Sequence, residues 1–164
     1  MKNTRDRCFV AAHRGELLTK ENHRGLMKWA RECSEHVLPL IGEKIDERLI
    51  HALNVAKEWE NGNVKTGVAM KASLGAHAAV RESSDPVSTA VARSIGQVVA
   101  TVHMADHSMG AALYGLIAMK LVGKSVEEER EWQIKQLQQL PAEIVELVLT
   151  TMKQKEKGVR LLRN

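Results

Sequence analysis

Aromatic residues are scarce in this chain: Phe9, Tyr114, Trp29, Trp59 and Trp132 are all it has in 164 residues. That leaves no row of rings on which single-stranded nucleic acid would stack. Only Cys8 and Cys33 are present, without a CxxC pair. Neither a disulfide framework nor a thiolate zinc site is indicated, and two reduced thiols in a cytoplasmic protein are expected. Just three prolines occur, Pro39, Pro86 and Pro141, each where a helix would begin or end. No window reaches about 18 uncharged apolar residues, so no membrane span is expected. The opening MKNTRDRCFVAAHRGELL lacks the apolar stretch of a signal peptide. A nucleophile elbow, a phosphate-cradling glycine loop and paired carboxylates are also missing, so neither catalytic residues nor a cofactor is expected.

What is present favours helices. Ala, Leu, Met, Glu, Lys, Arg and Gln dominate. Leu26, Trp29, Ala30, Cys33 and Val37 recur at spacings of three and four, which predicts a helix from about Lys20. DERLIHALNVAKEWENGN predicts a second, with Asp46 as cap and Gly62 as stop. VKTGVAMKASLGAHAAVRES reads as a third, its small residues admitting close neighbours. SSDPVSTA starts a fourth with Pro86 at its first position, and the pattern then runs unbroken to about Val122. A straight rod of that length measures roughly 50 Å unless it bends near His107–Gly110. SVEEEREWQIKQLQQL and PAEIVELVLTTMKQKEK complete the set. The expectation is one all-α domain over residues 1–164: six or seven helices bundled around a long central helix. Residues 1–19 form a leader of unassigned structure, with a short strand or turn at Cys8 to Ala12. Residues 153–164 form a basic tail that frays.

The segment HMADHSMG, His103 to Gly110, poses the functional question. His103 and His107 stand four apart, as in the zinc-binding HExxH helix, but the catalytic glutamate is absent. On a continuous wheel Asp106 points about 100° away from His107, into the apolar side near Val102, Met109 and Leu113. A buried carboxylate needs a cation or donor, because leaving it bare costs several kcal/mol. His77 and Arg81, one turn apart on the third helix, are the nearest match; Arg48 and Arg93 are weaker ones. The expectation is a structural polar cluster of His77, Arg81, Arg93, His103, Asp106 and His107 rather than a metal site. Histidines 13, 23, 36 and 51 lie among charged residues and read as surface groups.

The order of elements resembles a family of bacterial immunity proteins encoded beside polymorphic toxins, all-α and fifth in the usual immunity series. The resemblance covers about residues 20–150. It rests on Asp46 and Arg48 opening the second helix, Trp59 and Gly62 closing it, and Ala-His-Ala-Ala-x-Arg at Ala76 to Arg81. Further on it includes Ala92-Arg93, Gly96-Gln97, Ala100-Thr101, His103, His107, Gly110-Ala111 and Tyr114. The resemblance implies neutralisation of a cognate toxin by stoichiometric occlusion, with no chemistry performed. Trp29, Trp132, Arg24 and Arg31 are then the sequence's guesses at interface anchors.

Net charge is +4, and the last twelve residues supply an excess of that size. Tail cations of this kind read as a solvated helix end, which argues against nucleic acid as partner. Inhibitors of basic nucleases are often acidic. A basic chain therefore implies either a toxin of another kind or a locally acidic binding face such as SVEEERE. The alternative reading is a small metal-dependent enzyme built on His77, His103, Asp106 and His107. A third is a small-molecule or regulatory helical module, and homo-oligomerisation is left open.

Overall fold

The computed structural model describes residues 6–10 and 18–163, and seven α-helices account for most of them. α1 spans Lys20–Val37, α2 Glu47–Glu60, α3 Thr66–Glu82 and α4 Pro86–Ala100. α5 spans His107–Leu121, α6 Val126–Leu137 and α7 Ala142–Lys157. Short 3-10 turns lie at Arg7–Phe9, Leu38–Ile41 and Arg160–Leu162. No strand occurs among the described residues, so the chain is all-α. Near the start, a turn occupies Arg7–Phe9 and the Leu18 N–H donates to the Val10 carbonyl at 3.1 Å. Residues 11–17, which include part of the expected strand or turn and His13, lie outside the described residues.

Helix starts follow local chemistry. Thr19, Asp46, Asp85 and Ser125 accept hydrogen bonds from the backbone N–H of Asn22, Arg48, Ser88 and Glu128. These satisfy donors that a helix N-terminus leaves open.

The long central helix is where expectation and structure part. The chain leaves the helical path after Ala100, turns through residues 101–106 and restarts at His107. α5 then runs back antiparallel along α4. The Ser94 hydroxyl donates to the Ala111 carbonyl at 2.7 Å, and Gln97 meets His107 at 2.9 Å. The turn contains neither Pro nor Gly, so nothing in TVHMAD announces it. A tertiary contact sits at this turn. His23 of α1 donates from Nε2 to the Thr101 carbonyl at 2.5 Å, taking the acceptor that the next helical turn would use. His23 is therefore not a surface group. It is 4% exposed and meets the Trp59 ring edge-on, with centroids 5.0 Å apart.

Two hydrophobic clusters result. One gathers Met27 and Val37 of α1, Leu49 and Leu53 of α2, the alanines of α3, and Val91, Ile95 and Val98 of α4. The other joins Phe9, Leu18, Leu26, Trp29 and Cys33 to Met109 and Leu113 of α5, Leu137 of α6, and Val148 and Met152 of α7. α1 and α5 belong to both, and α5 is buried nearly all round. A buried hydroxyl pair, Ser34 to Ser94 at 2.6 Å, lets α1 approach α4 closely.

Cys33 is fully buried in the second cluster. Burial, then the nearby Glu129 and Glu32 carboxylates, push its thiol well above the ordinary range. The unfolded chain ionises this thiol from about pH 8.5, while the folded chain keeps the proton. Above that pH the unfolded state binds fewer protons, so stability falls as pH rises. Urea midpoints between pH 8 and 10 should decline less in Cys33→Ala than in the parent chain. Equal slopes would show that the thiol contributes nothing.

Candidate interaction site

α3, α4 and α5 lie side by side and share one outward face. On α3, Met70, Leu74 and Arg81 are exposed and fall on one stripe at helical spacing. Leu74 is 68% exposed, an unusual position for a leucine on a helix otherwise rich in alanine. His77, half-buried on the edge of the same stripe, turns toward α4. Its imidazole lies across Gly96, where an added Cβ would come within 3.2 Å of the ring. By antiparallel register, one turn further along, Arg81 comes level with Arg93.

On α4, Arg93 is exposed and its guanidinium carbon sits 5.9 Å from the centre of the Tyr114 ring of α5. One turn on, the Gln97 side chain crosses Gly110 and its Oε1 meets His107 Nδ1 at 2.9 Å. The two helices are thus rungs of a ladder, Arg93 with Tyr114 and Gln97 with His107. His103 is exposed on the corner at one end of this face.

Gly110 is the position that shapes the ladder. A Cβ there would lie 2.6 Å from Gln97 Oε1, 2.9 Å from Cδ and 3.0 Å from Cγ. Gly110→Ala gains about 1 kcal/mol of helix propensity but expels Gln97 and breaks a hydrogen bond worth about 1 kcal/mol. The melting temperature should change by less than about 4 °C, while the His107 ring resonances shift. Unmoved resonances would show that Gln97 does not hold the imidazole.

The expected cluster is therefore only partly assembled. His77, Arg81, Arg93 and His107 share the face with His103 at its end, but Asp106 does not anchor them. No ion pair joins Asp106 to His77, Arg81 or Arg93. The chain turns at 101–106, so a wheel carried across it gives Asp106 the wrong direction. Asp106 occupies the residue before α5 and lines a cleft of about 940 Å³ with Asp6, Arg7, His107, Gln154 and Lys155. No group of three or more His, Cys, Asp and Glu among the described residues is placed to hold a metal ion.

Of the four guessed anchors, Trp29 and Arg31 are engaged within the fold and Trp132 stacks on His36. Trp29 is 3% exposed, its indole N–H donating to the Gln133 carbonyl at 2.9 Å. Arg31 forks onto Glu60 at 2.7 and 3.0 Å. Within SVEEERE, Glu127 shares Arg130 with Glu156 and Glu129 is buried against His36, while Glu128 and Glu131 are exposed and form no ion pair among the described residues. Spacing puts Leu74 on one face with His77, Arg81 and Met70, but its exposure is not legible from sequence.

Fold and face together define an all-helical scaffold with a preformed polar and apolar outer surface. The family model described as Imm-5 like putative immunity protein matches residues 16–140, and the chain belongs to that family. The match ends just ahead of α7. No curated protein and no solved structure matches the chain. Among the described residues, no helix is long and apolar enough to cross a membrane.

Proposed function

We propose that this protein neutralises a cognate toxin in the cytoplasm by binding it one-to-one through the outer face of α3, α4 and α5. The observation that carries this reading is the ladder itself. Arg93, Tyr114, Gln97 and His107 are held by contacts between helices, so the face needs little ordering when a partner arrives. Exposed Arg and Met and half-buried Tyr are residue types enriched at interface centres, and exposed Leu74 adds apolar area beside them. Family membership supplies the class of partner.

The test is titration against the toxin encoded beside this gene. Toxic activity should fall linearly with added protein and vanish at one equivalent, with a 1:1 complex in light scattering. Neutralisation by a few hundredths of an equivalent would mean turnover rather than occlusion and would overturn the proposal.

A further inference from the structure

Three arginines of this molecule are paired internally, and the cations of this face are not among them. Arg31, Arg48 and Arg130 each contact two carboxylates: Glu35 and Glu60, Asp46 and Glu82, Glu127 and Glu156. Arg81, Arg93 and Lys71 are exposed and form no ion pair among the described residues. The carboxylates bordering the face are already committed. Glu82 is taken by Arg48, and Asp85 accepts from the Ser88 hydroxyl at 2.7 Å and the Ser88 N–H at 3.0 Å. These contacts hold both acids below the usual carboxylate range, so both stay ionised but occupied.

We infer that the surface this face receives is acidic: the toxin region it covers presents carboxylates to Arg81 and Arg93. This rests on the binding function proposed above and narrows it. A guanidinium offers a planar fork that matches a carboxylate with two parallel hydrogen bonds. Phosphate would satisfy the same fork, but the surroundings favour protein. Leu74 lies between Lys71 and Arg81 along α3 with Met70 beside Lys71, and three cations fall short of the six to ten phosphate contacts typical of firm DNA binding. The covered cleft is then carboxylate-lined, unlike the cationic cleft of a nuclease that grips phosphates. A basic inhibitor is the complement such a toxin requires.

The experiment measures association rate and affinity for the adjacent-gene toxin across about 50–500 mM salt. It compares the parent chain, Arg81→Glu/Arg93→Glu, Arg81→Gln/Arg93→Gln, and the control Lys135→Glu on α6. Both arginines are exposed, and thermal melts verify that each variant folds. The parent should associate more slowly as salt rises. The charge reversal should weaken binding at least about 100-fold and the neutral pair about 10-fold, with the control unchanged. If the parent binds and both arginine variants bind equally well, the acidic-partner inference fails while toxin binding stands. If the parent does not bind the toxin, both fail. Tighter binding to a 24-base-pair DNA duplex than to toxin at 150 mM salt would assign the face to nucleic acid and overturn the inference.

Discussion

Trp29→Ala lowers the unfolding free energy by about 3 kcal/mol, the largest loss expected from any single truncation here. Large-to-small changes of buried aromatics cost about 3–5 kcal/mol, depending on how far the site collapses or fills. Trp29 is 3% exposed at the centre of the second core cluster, touching the environment of α1, α5, α6 and α7. Its indole N–H bonds the Gln133 carbonyl, and Gln133 is itself buried, donating from Nε2 to the Ala112 carbonyl at 3.0 Å. One side chain therefore ties α1 to α6 and, through Gln133, to α5. Two clefts, about 340 and 680 Å³, reach it from either side of the α6–α7 end. Water can enter the space left behind, which places the cost at the lower end of the range. Against a total of about 5–15 kcal/mol, that is a large fraction. Urea denaturation of Trp29→Ala and Trp29→Phe should give a severe and a mild loss. Equal, small losses would show that the clefts already hydrate this side of the core.

His36→Ala should cost about 2–3 kcal/mol, more than removing the acid it contacts. Glu129 is 4% exposed, and its Oε1 lies 2.6 Å from His36 Nδ1. The imidazole also stacks on Trp132, with centroids 3.6 Å apart and planes within 6°. Deleting the ring leaves a buried carboxylate without that donor, a penalty of about 1–3 kcal/mol, and removes a ring contact worth about 0.5–1.5 kcal/mol. Glu129→Gln keeps a hydrogen-bonding group in place and should cost less than about 1 kcal/mol. His36→Ala/Glu129→Leu should recover part of the loss, because both polar partners go together. A double-mutant cycle in urea measures this directly. A neutral His36→Ala would mean that Glu129 is already satisfied by water.

His23 shows why charged neighbours in sequence misreport burial, whereas His36 stays at the surface, its side chain 38% exposed. Both sit among Glu, Lys and Arg along the chain, yet each reaches a partner from another helix: His23 finds Thr101, and His36 finds Glu129. Exposure depends on which elements close over a side chain, and no local pattern encodes that. The polar face behaved differently. His77 and Arg81 pair by their one-turn spacing within α3, whereas Arg93 enters as a weaker partner for Asp106, and Gln97 and Tyr114 enter with the family resemblance. Within one helix the 100° step holds, so that pair shares a stripe, while the way α3, α4 and α5 lie side by side was not legible. Asp106 was misplaced because the same step was carried through a corner where it no longer applies.

By itself, the sequence determined the all-α class, the starts of α1, α2, α4 and α6, and the stripes that become buried. Caps, proline positions and apolar spacing act over a few residues, so they are written where they operate. Tertiary structure alone decided that 86–122 folds into a hairpin, that His23 meets Thr101 at the end of α4, and that Arg81 and Arg93 are exposed without carboxylate partners among the described residues. Those outcomes depend on contacts between residues far apart in the chain, as His23 with Thr101 at a separation of 78 shows, and such contacts exist only once the helices have packed.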